Sequence, residues 1–447
     1  MKLNKKPNIL FFFSDQQRPD TIGCYGQKLD VTPNLDKLAK TGIKFERAYS
    51  CQPVCGPARA CIQTGKYASE MGTFRNSIGL PRNEKTMAHY LSKAGYEVGY
   101  IGKWHLATTL EIPGKKDIDY KDKPVPPAYR GGYKDYWLAS DVMEKTSDGH
   151  GGYLFDGNMK KVEFKGYRVD RITDFVLEYL KNRKSNKPFF LFVSYLEPHH
   201  QNNHNRYEGP AGSKKKFRNF VIPKDLEGTG GDWKWNYPDY LGCCNSLDKN
   251  LGRIIGELEK QGQRENTAIV YTTDHGCHFR TRNSNQKCSC HDSSIHIPLV
   301  INAPGFKGNT KVKELVSLID IAPTVLDIAG VKKPSPMKGA SLRKLVSGSK
   351  KNWRKEVFVQ ICETEVGRAI RTDRWTYSVA APKLDGWDYA SSDVYVEEYL
   401  YDNVKDPFQK VNLVYDPAFK VLRSKLSKIL IKYMKKAGEK EPEIFPG

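Results

Sequence analysis

The sequence lacks the long apolar run that a membrane-spanning helix requires. No window of its 447 residues approaches about 20 consecutive apolar residues. The basic start followed by an apolar run at residues 9–13 resembles a signal peptide, but the run is too short and ends at Ser14. We therefore expect no membrane partner and a cytoplasmic location, or an exported one if the natural chain is longer at its start.

Regularly spaced cysteines are also lacking. The ten cysteines show no framework of the kind that staples small secreted proteins, and a chain of this size can bury a large core without one. Most are therefore expected to be free thiols. Cysteines and histidines cluster at residues 277–291, but they lack two well-spaced ligand pairs, so the pattern does not favour a structural zinc site.

Acidic residues are scarce relative to basic ones. The chain has 72 Lys and Arg against 51 Asp and Glu, a net charge of +21, which favours anionic partners such as nucleic acid or a sulfated polymer. The basic residues are dispersed, and no helix-turn-helix, zinc-finger or RNA-binding signature accompanies them. We therefore expect no nucleic-acid partner and interpret most of these charges as solvated surface.

Short apolar runs rich in aromatic and β-branched residues predict buried strands with helices between them. The predicted strands are residues 9–13, 98–101, 189–194, 268–273 and 299–302, and the predicted helices are residues 86–94, 167–181, 241–261 and 319–329. Alternating strands and helices predict an α/β fold, with a large, mostly parallel sheet sandwiched by helices. Long polar stretches at about 106–166 and 200–236 are candidate substrate-binding insertions.

The character of the sequence changes after about residue 345. A basic linker leads to strand-like segments near residues 357–361 and 375–379 and then to a basic helix near residues 419–436. We predict a large α/β domain at residues 1–345. Residues 346–447 are predicted to form a smaller C-terminal α+β subdomain with a small antiparallel sheet and a terminal helix.

Polar residues follow directly on the C-terminal ends of four predicted strands. They are Asp15 with Gln16, Lys103 with His105, His199 with His200, and Asp274 with His275. Each alone has a plainer explanation, such as a helix cap, a surface lysine or a structural histidine. Ligands bind at this edge of open parallel sheets, so the coincidence of four strand ends favours a single site.

The residue types at these strand ends favour a metal ion. Asp15, Gln16 and Asp274 offer the oxygen ligands that a hard cation such as calcium prefers, and His275 adds a nitrogen. A metal flanked by lysines and histidines would hold a tetrahedral oxyanion. The spacing therefore indicates a metal-assisted hydrolase of phosphate or sulfate esters.

Residues 55–65, which read CGPARACIQTG, resemble the sulfatase signature, in which C-x-P-x-R is followed closely by T-G. Further motifs occur in the family's order: PNIL at 7–10, GCYG at 23–26, GKWHL at 102–106, TDHG at 273–276, IPL at 297–299 and DIAPT at 320–324. The resemblance to the formylglycine-dependent sulfatases covers nearly the whole chain. It implies the alkaline-phosphatase-like fold, calcium and sulfatase activity.

The resemblance also implies a nucleophile and roles for the surrounding residues. In sulfatases a maturation enzyme oxidises the signature cysteine, here Cys55, to formylglycine (3-oxoalanine), whose hydrate attacks sulfur. The implied metal ligands are Asp15, Gln16, modified Cys55, Asp274 and His275. Arg59 would steady the hydrate, Lys103 and Lys287 would bind sulfate oxygens, His199 would be the general acid, and His105 the base that collapses the hemiacetal.

Two departures from the family pattern bear on metal and substrate. Gln16 and His275 stand where many sulfatases have Asp and Asn, and a nitrogen ligand leaves room for manganese, with magnesium a further alternative. Residues 288–296 replace the usual stretch ending in Tyr-Glu and Arg. His291 and His296 in this stretch, together with His200, are candidate substrate-binding residues.

We therefore expect a sulfatase that hydrolyses a sulfate ester, on a carbohydrate. The basic surface favours this reading, as do the aromatic residues at 129–137 and 233–235, which would either stack on sugar rings or lie in the core. A phosphonate monoester or phosphodiester hydrolase on the same scaffold is an alternative. A non-catalytic binder of sulfated glycan is another, if Cys55 is not matured.

Overall fold

The structure is a computed structural model, and it describes residues 6–114, 116–306 and 308–447. Most of the basic start that resembles a signal peptide, residues 1–5, lies outside the described residues. Among the described helices, none combines the length and the hydropathy that crossing a bilayer requires.

The strands form two sheets. The larger contains β1 (Asn8–Ser14), β2 (Ile43–Tyr49), β3 (Glu97–Lys103), β4 (Tyr136–Ser140), β5 (Ser147–Asp148), β6 (Gly151–Asp156), β7 (Lys161–Lys165), β8 (Phe189–Ser194), β9 (Thr267–Thr273), β10 (His296–Asn302), β11 (Thr310–Val312) and β12 (Val316–Ser317). The smaller contains β13 (Glu356–Ile361), β14 (Gly367–Thr372), β15 (Trp375–Ala380), β16 (Val394–Asp402) and β17 (Glu443–Phe445).

Helices connect and cover these strands. They are α1 (Pro33–Thr41), α2 (Cys55–Thr64), α3 (Ala68–Met71), α4 (Met87–Lys93), α5 (Met143–Thr146), α6 (Arg168–Asn182), α7 (Ser213–Lys216), α8 (Trp233–Lys260), α9 (Asp292–Ile295), α10 (Ile321–Ile328), α11 (Arg343–Val346) and α12 (Lys420–Lys436). The predicted boundary at residue 345 falls inside α11, and the division into two domains stays a prediction.

The centre of the large sheet is parallel, as the alternation of strands and helices predicts. Strands β9, β1, β8, β3 and β4 run side by side in the same direction. The flanks differ from the prediction, since β10 pairs antiparallel with β9 and β2, and β6 pairs antiparallel with β4. The large sheet is therefore mixed, and its parallel centre brings four strand ends to one edge.

Strand β1 lies between two hydrophobic layers. Ile9, Phe11 and Phe13 face one cluster, while Leu10 and Phe12 face the other, because successive side chains of a strand point to opposite faces. The Phe11 ring stacks on Phe192 of β8 at 4.4 Å. Burial on both faces explains why the strand reads as an unbroken apolar run.

Helix α2 carries the signature residues through the core. All ten of its residues are buried, and it begins at Cys55. It ends at Gly65, whose φ of +66° is a left-handed conformation that glycine adopts without steric cost. Cys55 therefore lies in the first turn of a buried helix.

The two polar stretches predicted to be insertions, at about 106–166 and 200–236, contain helices and strands. Residues 106–166 contribute β4 to β7, which extend one edge of the large sheet. Helix α8 begins at Trp233, well before the predicted start at 241, and it contains Pro238. Proline is unfavourable inside helices, so the sequence pattern predicts a start beyond it.

Candidate functional site

The predicted strand-end residues meet at one edge of the large sheet. Cys55, His105, His199 and Lys287 line a cavity of about 280 Å³ together with Gln16. Asp15 follows β1, and Lys103 ends β3. The structure thus brings together residues that are separated by more than 200 positions in the sequence.

Four side chains form a group that could hold a metal ion. The nearest ligand atoms of Asp15, Cys55, Asp274 and His275, called the donor group below, all lie within 4.8 Å of one another, and all four residues are buried. The Nδ1 atom of His275 lies 3.0 Å from the Gly276 carbonyl oxygen. Donation from Nδ1 to that carbonyl leaves the Nε2 lone pair free for a cation.

Two unpartnered oxygen atoms test whether a cation fits. Gln16 Oε1 and Asp274 Oδ2 are buried, and each lacks a hydrogen-bond partner within the described part of the chain. Buried polar atoms are rarely left without a partner. A divalent cation would satisfy both oxygens, and carboxylate, carboxamide and imidazole donors suit calcium, manganese or magnesium.

The pKa values of the two carboxylates of the donor group are shifted in opposite directions. Burial raises the pKa of Asp274, and the adjacent Asp15 carboxylate raises it further. Burial also acts to raise the pKa of Asp15, but the charge of Lys103 and other neighbouring cations outweighs it and holds this pKa well below its usual range. A cation at the donor group would favour the charged form of both carboxylates.

The Cys55 thiol is a poor nucleophile in its unmodified form. Its Sγ atom lies 2.8 Å from Lys287 Nζ, 3.3 Å from His275 Nε2 and 3.5 Å from Asp15 Oδ1. Burial, followed by the Asp15 charge, raises the pKa of this thiol to about 12. The thiolate is the reactive form of cysteine, so a protonated thiol here does not favour direct attack by sulfur.

Two buried lysines supply positive charge beside Cys55. Lys103 Nζ lies 2.9 Å from both Asp15 Oδ2 and Glu144 Oε1, and Lys287 Nζ lies 3.1 Å from His199 Nε2. Burial acts to lower the pKa of each ammonium, but nearby anionic groups, Asp15 among them, raise it above its usual value. Both lysines therefore stay charged and can bind an anion.

Arg59 joins the strand ends beneath the donor group. Its Nη2 donates to Asp15 Oδ2 at 2.8 Å, and its Nη1 donates to the Ser194 hydroxyl at 2.7 Å and to the Lys103 carbonyl at 3.0 Å. The fixed fork of a guanidinium suits such a multiple contact. Arg59 thereby links helix α2 to β1, β3 and β8.

Three predicted histidines reach the cavity. His199 Nε2 accepts from the Lys287 ammonium group, and its Nδ1 lies 2.6 Å from the His200 carbonyl oxygen. Burial and the nearby Lys103 charge lower the pKa of His105 to about 3, so it is neutral, and its Nδ1 has no partner among the described residues. His200 also lines the cavity.

The other two predicted histidines, His291 and His296, lie away from the cavity. His291 Nε2 lies 3.0 Å from the Tyr401 hydroxyl, and His296 Nε2 lies 2.9 Å from the Glu46 carbonyl oxygen. Both pack within the protein framework, His291 against the smaller sheet. Neither histidine lines the cavity, so their substrate-binding role stays a prediction.

Half of the six predicted aromatic residues lie in the core, while Tyr129 and Tyr136 are half-buried. Tyr133 and Trp137 are buried against Tyr100, and Trp233 is buried as well, whereas Trp235 is 81% exposed. Core packing therefore explains Tyr133, Trp137 and Trp233.

Sequence reasoning missed two carboxylates of the cavity. Glu144 lies on α5 and bonds Lys103, while Glu363 lies beyond β13 and accepts the backbone N–H of Asn76 at 2.9 Å. Neither belongs to a motif, and Glu144 follows no predicted strand, so its only signal was that a buried lysine such as Lys103 needs an acidic partner. Glu363 comes two residues after the predicted strand at 357–361, but that strand was assigned to the smaller sheet.

Comparison with protein families agrees with this geometry. The family model described as Sulfatase matches residues 7–331. A second model, described as N-sulphoglucosamine sulphohydrolase, C-terminal, matches residues 284–436. Together the two models cover most of the chain.

Individual relatives match along nearly the whole chain. The uncharacterized sulfatase YidJ of Escherichia coli (strain K12) is 30% identical, covering 97% of this chain and 88% of that protein. An ulvan-active sulfatase of Formosa agariphila is also 30% identical, covering 97% of this chain and 82% of that protein. The crystal structure of yidJ from Bacteroides fragilis matches with a TM-score of 0.83 and 26% identity, covering 98% of this chain and 97% of the other. These likenesses confirm the predicted alkaline-phosphatase-like fold.

Proposed function

The chain belongs to the sulfatase family of sulfuric ester hydrolases, and we propose that it cleaves the sulfate ester of a carbohydrate. The observation that carries this proposal is the position of Cys55, with the donor group on one side and Lys287 Nζ 2.8 Å from its sulfur. A sulfate group bound there would meet cationic side chains and a nucleophile together.

We further propose that Cys55 is oxidised to formylglycine and that Asp15, Gln16, Asp274 and His275 hold a divalent cation. The formylglycine hydrate would supply the nucleophile, and the cation would supply positive charge beside it. The high pKa of the unmodified thiol supports this modification. A formylglycine-generating enzyme is the partner that it requires.

Lys103 and Lys287 are proposed to bind the sulfate oxygens. Both are buried and charged, and compact ammonium groups stabilise negative charge that builds up in the transition state. Glu144 holds Lys103 in place at 2.9 Å. The cations thus act where water is excluded and their attraction for an anion is strong.

His199 and Lys287 are proposed to protonate the leaving alcohol. If Nδ1 of His199 carries a hydrogen toward the His200 carbonyl, Nε2 presents a lone pair to the Lys287 ammonium at 3.1 Å. The pair therefore holds a transferable proton at the cavity wall. His105 is neutral with an unpartnered nitrogen, which suits the proposed role of base.

A carbohydrate substrate is supported by the relatives. Beyond the ulvan-active sulfatase, the N-acetylglucosamine-6-O-sulfatase of Bacteroides thetaiotaomicron is 26% identical over 98% of this chain and 88% of that protein. The cavity lining fits such a substrate, since Asn76, Asn202, Asn285 and Glu363 offer donors and acceptors for sugar hydroxyl groups.

Mass spectrometry of one tryptic peptide tests the nucleophile. Cleavage after Arg47 and Arg59 releases residues 48–59, which contain both Cys51 and Cys55. We expect a loss of about 18 Da, the change from thiol to aldehyde, located by fragmentation at Cys55. The unmodified Cys51 in the same peptide is the internal control.

Sulfate release from a panel of sulfated mono- and oligosaccharides then tests the reaction. Cys55→Ala should abolish release, and Cys24→Ala, a substitution at a half-buried cysteine outside the cavity, should leave it unchanged. Active protein with an unmodified thiol at residue 55 would refute the formylglycine mechanism.

A further inference from the structure

The side chain of Gln16 can bind a cation with only one of its two ends. The carboxamide oxygen Oε1 has lone pairs, whereas the NH₂ group at Nε2 only donates hydrogen bonds. Gln16 follows β1 with a φ of +67°, and its backbone N–H donates to Asp274 Oδ1 at 3.0 Å. Metal binding by this residue therefore depends on which end of the carboxamide faces the donor group.

The Nε2 end is held on the far side. Nε2 donates to the Tyr207 hydroxyl at 2.8 Å and to Cys277 Sγ at 3.3 Å, while Oε1 has no partner among residues that the structure describes. Tyr207 and Cys277 can each act as donor or acceptor. These two contacts alone do not decide the orientation of the carboxamide, so another group must.

That group is the Asp232 carboxylate at the other end of a hydrogen-bond chain. An ionised carboxylate only accepts hydrogen bonds, and Gln286 Nε2 donates to Asp232 Oδ2 at 2.6 Å. Gln286 must then direct its Oε1 toward the Tyr207 hydroxyl, which lies 3.1 Å away. The single proton of Tyr207 goes to this oxygen, which leaves a lone pair to accept from Gln16 Nε2.

The contacts of Cys277 are consistent with the same direction of the hydrogen-bond chain. The backbone N–H of Phe279 donates to Cys277 Sγ at 3.4 Å, so the sulfur already serves as an acceptor. Its own proton can point to the Tyr207 hydroxyl oxygen at 3.1 Å or to Gln286 Oε1 at 3.7 Å. Both Tyr207 and Cys277 can thus accept from Gln16 while Tyr207 donates to Gln286.

Burial keeps water from competing for the hydrogen bonds of this chain. Gln16 and Cys277 are fully buried, Tyr207 is 1% exposed and Gln286 is 6% exposed, while the Asp232 side chain is 20% exposed. The Tyr207 ring packs edge-on against Tyr240, which limits movement of its hydroxyl. Chains of buried hydrogen bonds of this kind polarise one another and favour a single direction.

We propose that Asp232 is a positioning residue, which through Gln286 and Tyr207 turns the Gln16 carboxamide so that Oε1 faces the donor group. The inference rests on the metal site of the proposed function. It assigns a role to three residues, Tyr207, Asp232 and Gln286, that none of the sequence motifs contains.

Calcium binding to metal-free protein, measured by calorimetric titration with CaCl₂, tests the proposal without any assay of activity. Asp232→Asn introduces an NH₂ group that can donate to Gln286 Oε1, so the whole chain can reverse and turn the Gln16 NH₂ group inward. We expect Ca²⁺ affinity to fall about 10- to 100-fold, as for other changes behind a metal ligand. Asp239→Asn removes the same charge from helix α8, where Asp239 faces Lys214 at 3.5 Å, and should leave Ca²⁺ affinity unchanged.

Testing Asp232→Asn in a Gln16→Glu variant separates the effect of carboxamide orientation from the effect of the lost Asp232 charge. In Gln16→Glu both carboxylate oxygens can bind a cation, so orientation no longer matters. Adding Asp232→Asn to Gln16→Glu should then cost little or no affinity. The same loss in both backgrounds would overturn the proposal, as would unchanged affinity in Asp232→Asn with the native melting temperature. If the wild-type protein binds neither Ca²⁺ nor Mn²⁺, the proposed metal site itself is refuted.

Discussion

The Lys287 ammonium group lies 2.8 Å from the Cys55 sulfur atom. These residues are 232 positions apart in the sequence, and both are buried. A cation held this close to residue 55 would contact any anion that the residue attacks, and it would stabilise the charge that develops during transfer.

We therefore expect Lys287→Ala to lower kcat/KM for nitrophenyl sulfate by about 10²- to 10³-fold, the usual effect of losing one such donor. Initial rates measure this, and mass spectrometry of residues 48–59 verifies that residue 55 is still modified. Lys260→Ala, at an exposed lysine ending α8, is the control. Equal rates for the two variants would exclude a role for Lys287.

Metal removal should abolish activity and lower stability. Asp274 Oδ2 has no hydrogen-bond partner within the described ranges, and its nearest cation is Arg59 Nε at 3.6 Å, so dialysis against EDTA leaves the charge of the donor group only partly compensated. Excess Ca²⁺ or Mn²⁺ should restore activity and raise the melting temperature. At a free-ion concentration of 100 times Kd, the free energy of unfolding should rise by about 2.7 kcal/mol.

The variant Asp274→Asn tests whether this stabilisation comes from the donor group. Its melting temperature should respond weakly to added Ca²⁺, because one charged ligand is lost. A response equal to that of the wild-type protein would place the bound ion elsewhere.

The raised pKa of Asp248 should make the stability of the protein depend on pH. Its carboxylate accepts the backbone N–H of Leu35 at 2.7 Å and that of Asn34 at 3.1 Å, and burial raises its pKa from 3.8 to about 6. The folded state therefore binds this proton more tightly than the unfolded state does. As the pH falls from about 7 to about 4, the wild-type protein should gain about 2 kcal/mol relative to Asp248→Asn.

The measurement is the difference in melting temperature between the two proteins at each pH. Asp30→Asn, which removes the same charge at an exposed position, controls for net charge. A difference that does not change with pH would show that Asp248 keeps an ordinary pKa in the folded protein.

The stacked pair of Phe11 and Phe192 should be important for stability. Both rings are buried, and their centroids are 4.4 Å apart. Phe192→Ala should destabilise the protein by about 3–5 kcal/mol, because it leaves a cavity between β1 and the helices above it. Thermal unfolding measures this, and Phe445→Ala at a half-exposed ring should have little effect.

The strand ends and the polar residues that follow them could be predicted from local sequence. Asp15 and Asp274 each follow an apolar run directly, so both the strand and the polar residue at its end can be read from a few neighbouring residues. The parallel centre of the sheet then brings such ends together. This is why the sequence predicts that Gln16, His105 and His199 share one cavity.

Long-range partners could not be predicted in this way. Glu144 reaches Lys103 from an insertion without periodic pattern, and Asp232 reaches Gln286 across 54 residues. The contacts of His291 and His296 are also long-range. Neither histidine lines the cavity, and their partners Tyr401 and Glu46 lie in the framework, so the predicted substrate-binding role stays a prediction.

The loop that carries Lys287 is tied to the smaller sheet. Thr364 donates from its hydroxyl to the carbonyl of Cys288 at 2.8 Å, and Arg371 of β14 pairs with Asp292 at 2.9 Å. A hybrid enzyme that takes its C-terminal part from a relative to change substrate would therefore also move the residues that anchor Lys287, the lysine proposed to bind sulfate. Redesign of selectivity in this scaffold should exchange residues 284–436 as one unit, the span that a single family model matches, rather than cut between the sheets.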